Sequence, residues 1–270
     1  MTEHTVAVLG VGKMGELVLA GLLRSGRPAA GVLATARRPE RAAELTEKYG
    51  VTVVSNTEAV ERAGILAIGV KPQDAGALLD EIGPAVTPGK LVVSLCAGLP
   101  TAFFASRLPE GTPVVRVMTN TPAMVGEAMS GISVGAHATA EHLDVAEELF
   151  RPLGRTVRVP EKQQDALTAL SGSGPAYFYL LVEAMIDAGV LLGLPRQVAH
   201  ELIVQTAVGS SVMLRDSGEH PVKLREAVTS PAGTTAAALR EMEKHGVRAA
   251  LLAALEAARD RAQEIAGQAR

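Results

Sequence analysis

The sequence predicts an α/β protein in two parts, with residues 1–161 alternating strand and helix on a parallel sheet and residues 162–270 all-helical. Two observations predict it. In the first part, short and continuously apolar runs rich in β-branched residues alternate with helical patterns, as strands covered on both faces should. After Glu161 the strand-like runs stop, and helical patterns remain, broken at Gly193-Leu-Pro195, Ser217 to Pro221 and Ser230-Pro231.

Taken in order, the strands are expected at residues 5–9, 31–35, 51–54, 65–70, 91–95, 114–118 and 131–134. Helical patterns fall between them at 15–25, 39–49, 74–82 and 140–150. Strict alternation lapses over 112–134, where two strand runs have no clear helix between them. In the second part, residues 174–194 are almost entirely apolar and near membrane-spanning length. Glu183 and Asp187, at i and i+4 on one helical face, interrupt that run and are costly in lipid. Burial between subunits or neighbouring helices is therefore the expected fate of this helix.

Charge and composition narrow the function. The 26 basic and 29 acidic side chains leave a net charge of −3, and no basic stripe stands out, so no nucleic-acid partner is expected. A single cysteine, Cys96, excludes an intrachain disulfide. The first apolar run lacks a basic flank and leads into glycines, so it does not read as a signal peptide; a cytoplasmic protein without a membrane partner is expected. The six histidines form no metal-ligand spacing, so no metal is expected.

The opening run, Val6-Ala-Val-Leu-Gly10-Val-Gly12-Lys13-Met14-Gly15, is a strand leading into G-x-G-x-x-G and then a helix. Gly10 suits the tight turn, Gly12 the close approach of a pyrophosphate, and Gly15 the packing of helix on strand. The motif is weak alone, but this strand–loop–helix context makes the first part a Rossmann-type dinucleotide-binding domain. Where an NAD site usually carries an acid, the end of the second strand reads Ala34-Thr35-Ala36-Arg37-Arg38. Arg37 and Arg38 suit a 2′-phosphate, so NADPH is expected over NADH, although either arginine alone could be an ordinary solvated turn residue. Gly69-Val70-Lys71-Pro72 and Ser94-Leu95-Cys96-Ala97-Gly98 fall where loops line the crevice of such a sheet. Lys71 there could meet a phosphate or a carboxylate, or simply be exposed. Cys96 reads as a small packed hydrophobe.

In the helical part, two knots of small and hydroxyl residues each lead into a helix: Ser171-Gly-Ser-Gly-Pro175 and Val228-Thr-Ser-Pro-Ala-Gly-Thr-Thr235. Hydroxyls and open N–H groups at a helix start can hold a carboxylate, or can be plain N-caps.

With these segments in order, the chain resembles the pyrroline-5-carboxylate reductases over nearly its whole length. The resemblance rests on the Gly10–Gly15 loop, Asn56, Val70-Lys71-Pro72, Arg116-Val-Met-Thr-Asn-Thr-Pro122, residues 171–177, Gly193-Leu-Pro195 and residues 230–235. It departs where Thr119 stands for the family's common proline and Ala232 for its common glycine. The resemblance implies NAD(P)H-dependent reduction of 1-pyrroline-5-carboxylate to L-proline, the last step of proline biosynthesis. It implies that Thr235 meets the ring nitrogen, that Ser230 and the amides around Thr234 hold the carboxylate, and that Gly174 and Pro175 wall the pocket. Glu161 is a weaker candidate for the ring nitrogen. Asn56, Val70, Lys71, Pro72, Ala97, Gly98 and Asn120 would line the cofactor crevice. The helical part would be a dimerisation domain, giving at least a homodimer and, as the larger assembly, a pentamer of dimers. The rivals are a related imine or 3-hydroxyacid dehydrogenase, whose expected lysine could only be Lys223 or Lys244, and a non-catalytic dinucleotide sensor, which would not need the 230–235 knot.

Overall fold

The computed structural model of the protein describes residues 5–268. Its residues form two compact units, one comprising the chain up to Ser173 together with 257–268, the other Gly174–Glu256. The compact boundary thus lies beyond residue 161, because the turns that follow Glu161 pack onto the sheet; Leu167, for example, lies where a Cβ on Gly131 would sit.

In the first unit, β1 (Val6–Leu9), α1 (Lys13–Arg24), β2 (Val32–Ala34), α2 (Pro39–Tyr49), β3 (Thr52–Val53), α3 (Asn56–Arg62), β4 (Ile65–Ile68), α4 (Pro72–Ile82), β5 (Leu91–Ser94), α5 (Thr101–Ala105) and β6 (Val114–Met118) alternate without a break. After them come β7 (Ala128–Val134), α6 (Ala140–Phe150), β8 (Gly154–Arg158) and the short α7 (Gln164–Leu167). The sheet order is β3-β2-β1-β4-β5-β6-β7-β8. All pairs are parallel except β6 with β7. That exception has a direct cause. A parallel return needs a crossover, and β6 and β7 are joined only by the 3-10 turn Thr121–Val125, so the chain doubles back.

Strand alternation sends side chains to both faces, and each face has its own core. Val6 and Val8 pack with Val18 and Leu22 of α1, Leu45 of α2 and Phe150 of α6. Ala7 and Leu9 pack with Val60 of α3, Leu79 of α4 and Phe104 of α5. Helices on both faces of a mostly parallel sheet, with the order reversing between β1 and β4, make a doubly wound fold whose ligand crevice lies at the carboxyl ends of the strands.

Each strand read from the sequence is present: 114–118 is met at both ends by β6, the others shift at one or both ends, and the last begins earlier, at Ala128. Three elements have no counterpart in that reading. The helices α3 and α5 are too short to show a helical period. The edge strand β8 carries Arg155 and Arg158 and is half-exposed, so it lacks the apolar run that marks a buried strand.

In the second unit, α8 (Gly174–Leu191) and α9 (Arg196–Asp216) form the central pair, followed by α10 (Pro221–Ala227), α11 (Thr234–Lys244) and the first part of α12 (Val247–Gln268). Small residues let α8 and α9 approach, since a Cβ on Gly189 would lie 2.9 Å from the Ala199 Cβ. Within this unit only Gly174, Ile186 and Ala199 are buried. Residues Glu161–Leu191 are long and apolar enough, by length and composition, to cross a membrane. Asp187 in that stretch pairs with Arg196 at 2.7 Å.

Candidate functional site

The glycine loop joins β1 to α1 at the carboxyl edge of the sheet. Gly10 has φ +80°, which L side chains rarely adopt, and a Cβ there would lie 2.3 Å from Val70 Cγ1. A Cβ on Gly15 would lie 2.7 Å from the Gly10 carbonyl oxygen, and one on Gly69 would lie 3.1 Å from the Gly15 Cα. The structure therefore brings Gly10, Gly15, Gly69 and Val70 together as backbone packed on backbone. Gly12 differs: nothing lies within 4 Å of its Cβ position, so its outer side is open. It is the N-cap of α1, and no side chain caps that helix. The first-turn amides around Lys13 and Met14 therefore face an open space, an arrangement that fits the pyrophosphate of a dinucleotide.

Neighbouring elements tie this loop down. The Gly10 N–H donates to Thr35 Oγ1 at 2.9 Å, and the Val11 N–H to the Thr35 carbonyl at 3.0 Å. Thr35 is nearly fully buried, and the sequence reading gave it no role. Its signal was available as a small hydroxyl at the end of the second strand, beside the turn. Arg41 donates to the Val11 carbonyl and pairs with Glu16, which also accepts from Lys48 at 2.9 Å and Tyr49 at 2.7 Å. Burial pushes the Glu16 carboxyl up. The hydrogen bonds from Lys48, Tyr49 and Arg41, with the Arg41 charge, outweigh it and hold its pKa at about 2.

Arg37 and Arg38 sit beyond β2, both exposed, with Arg38 at the N-cap of α2. Arg37 pairs with Asp74 in the first turn of α4 at 3.0 Å. Lys71 is exposed at the N-cap of α4 and Pro72 is the first residue of that helix. Asn56 opens α3 and donates to both Glu81 carboxylate oxygens, at 3.2 and 3.0 Å. Beyond β5, Cys96 is buried with Sγ 3.4 Å from the Val70 carbonyl, and burial pushes its thiol up to about 12, so it packs as an uncharged group. Ala97 and Gly98 follow in the turn to α5, Gly98 buried.

Beyond β6, Asn120 is buried, its amide engaged with Ser171 and with the Met129 N–H. Thr119 is buried too and accepts from Ser130 Oγ at 2.8 Å, so the residue standing for a family proline satisfies a second buried hydroxyl. The Glu161 carboxylate accepts from the Thr101 N–H at 2.6 Å and from the Thr101 hydroxyl at 2.8 Å.

The two hydroxyl knots differ from simple caps. Thr168–Gly172 is a π-helical turn, closed by the Ser173 N–H on the Thr168 carbonyl at 2.8 Å, and it runs directly into Gly174 and Pro175 at the start of α8. Such π-turns recur at functional sites. In the other unit, the N-cap of α11 is Gly233, and no side chain caps the helix. Ser230 is exposed, its carbonyl accepting from the Gly233 N–H at 3.0 Å, and Ala232 between them has φ +58°. Thr234 and Thr235 open the helix, Thr235 half-buried. Their turn thus presents uncapped amides beside three hydroxyls, a combination that can hold a carboxylate.

Known proteins resemble this chain over nearly its whole length. Residues 161–265 match a family model described as pyrroline-5-carboxylate reductase dimerisation, and residues 5–98 one described as NADP oxidoreductase, coenzyme F420-dependent. The chain is 42% identical to a pyrroline-5-carboxylate reductase of Mycobacterium tuberculosis over 283 aligned positions, covering 96% of each. The solved structure of a pyrroline-5-carboxylate reductase from Coxiella burnetii matches with a TM-score of 0.91 at 31% identity, covering 97% of this chain and 98% of that one. A pyrroline carboxylate reductase from Plasmodium falciparum, solved with NADP bound, matches with a TM-score of 0.89 at 29% identity, covering 98% of this chain and 99% of that one.

Proposed function

The chain belongs to the pyrroline-5-carboxylate reductase family, and on that footing we propose that it reduces 1-pyrroline-5-carboxylate to L-proline with a reduced nicotinamide dinucleotide. It is an NAD(P)H-dependent oxidoreductase acting on an imine. The observation that carries the reading is the 42% identity over 96% of the chain, together with family matches over residues 5–98 and 161–265, which take in the dinucleotide loop and both hydroxyl knots. A non-catalytic sensor would need only the first of these.

A reduced nicotinamide held in this crevice would supply a hydride for the imine carbon. The chain's part is to hold donor and acceptor in line and keep water away, since a protonated imine is already electrophilic. The amides of Lys13, Met14 and Gly15 hold the pyrophosphate. Arg37 and Arg38 take the 2′-phosphate, which makes NADPH the preferred cofactor; the exposed Arg37–Asp74 pair is weak enough to yield to a phosphate. Asn56, Val70, Lys71, Pro72, Ala97, Gly98 and Asn120 shape the crevice around the cofactor. In the helical unit, Ser230 and the amides at Thr234 hold the substrate carboxylate, and Thr235 hydrogen-bonds the ring nitrogen. Gly174 and Pro175 form the pocket wall. The assembly is at least a homodimer, through the exposed apolar faces of α8 and α9, with a pentamer of dimers as its larger form; its location is cytoplasmic.

The test is oxidation of NADPH by the purified protein, followed by cofactor absorbance, with and without 1-pyrroline-5-carboxylate and then with NADH. Rapid oxidation only with substrate, faster with NADPH, is the expected result. Cofactor binding without turnover would return the sensor reading to the front.

A further inference from the structure

The turn that carries Ala97 and Gly98 is held from two sides. Gly98 has φ +79°, and a Cβ there would lie 2.9 Å from Ile265 Cγ2, so the last turns of α12 press on it. At the other end of the turn lies Thr101, buried, with its N–H and hydroxyl both bonded to the two oxygens of Glu161. Glu161 is sixty residues further along the chain. Its charge is balanced by Arg116 of β6, whose guanidinium is 3.8 Å from Glu161 and 3.4 Å from Asp165 and almost wholly buried. A buried guanidinium needs such partners, and removing one leaves it uncompensated. The cluster ties β5, β6 and the chain after β8 into one fixed corner.

That corner lies on a particular side of the crevice. In this strand order β1, β2 and β3 form one mononucleotide half and β4, β5 and β6 the other. The 2′-phosphate residues follow β2, so the turn after β5 belongs to the nicotinamide half. We propose that Glu161 is a positioning residue for the nicotinamide half of the cofactor. Acting through Thr101, it fixes the turn of Ala97 and Gly98. The assignment rests on the reductase reading of the dinucleotide crevice.

The test measures equilibrium binding of NADPH and, separately, of adenosine 2′,5′-bisphosphate, which carries the adenosine half alone, using the full-length protein. Glu161→Gln keeps the shape but loses the charge. Thr101→Val removes only the hydroxyl and leaves the Arg116 cluster intact, so it carries the test if Glu161→Gln folds poorly. Each is expected to weaken NADPH by about tenfold, the loss of one charge-assisted bond, while leaving the fragment unchanged. The double variant is expected to be no weaker than Glu161→Gln alone, because both act through one contact. Equal weakening of NADPH and the fragment, or a lowered melting temperature with both affinities intact, would reduce Glu161 to a structural role. A raised KM for 1-pyrroline-5-carboxylate with unchanged NADPH binding would make it a substrate contact. Wild-type protein that binds NADPH but does not reduce this substrate would sink the activity assignment and leave the binding arms readable.

Discussion

Ala232 is the non-glycine residue with positive φ among those described, at +58°, and it stands in the turn that leads to Thr234 and Thr235. A Cβ in the left-handed region costs about 1–2 kcal/mol. Glycine removes that cost but adds about 0.4–1 kcal/mol of unfolded-chain entropy. Ala232→Gly is therefore expected to stabilise the protein by up to about 1.5 kcal/mol, and Ala232→Val to destabilise it, as chemical denaturation would register. A less stable glycine variant would mean that the turn is not left-handed at this position. The sequence had marked Ala232 as a departure from the family's glycine, but only the backbone angle shows what that departure costs. Thr235 carries the other residue-scale prediction. Losing one hydrogen bond to a charged ring nitrogen should lower kcat/KM in Thr235→Ala by about 10- to 100-fold with NADPH affinity unchanged. Full turnover in that variant would remove the hydroxyl from the mechanism.

Among the elements, α1 and α2 are joined by a cluster that the sequence concealed. Glu16, Arg41, Lys48 and Tyr49 are spread over more than thirty residues, and no periodic pattern links a residue on one helix to those on another. The structure gathers them under the glycine loop, where Arg41 also reaches the Val11 carbonyl. Glu16 has a folded pKa of about 2 against 4.5 for a free carboxyl. Depressed in this direction, it contributes stability that is fully present above about pH 4.5 and is lost as pH falls through about 2. Glu16→Gln should flatten that part of the stability curve and lower stability at neutral pH, read by thermal melting across the acid range. An unchanged acid limb would show the cluster to be energetically silent. Similar reasoning explains why the glycine loop itself was legible: its residue types follow from strand, turn and helix start within ten consecutive positions, whereas Thr35, which bonds it, lies a whole βα unit away.

On the scale of the whole molecule, the helical unit exposes Phe178, Leu180, Leu191, Leu202 and Val208 and buries little of its own. Burying a side chain of this kind is worth about 1.5–3 kcal/mol, so such a surface favours a second copy over solvent. The protein is expected to run as a dimer or larger by light scattering. Phe178→Glu combined with Leu202→Glu should yield monomers of lower melting temperature. A monomeric wild type would contradict the proposed assembly.

What the sequence determined by itself was local: the strand runs, the glycine loop, the helical character after residue 161, and an ordered set of motifs sufficient to point to the family. These are legible because hydrophobic period and turn chemistry are written within a few residues. Tertiary structure alone decided the antiparallel turn-back at β7, the edge strand β8, the Glu16 cluster, and the commitment of Glu161 to Thr101 and of Asn120 to Ser171. Each depends on which distant segment a side chain meets, and that choice is made by packing two cores onto one sheet, where a carboxylate or amide that leaves water takes whichever donors the fold brings within reach.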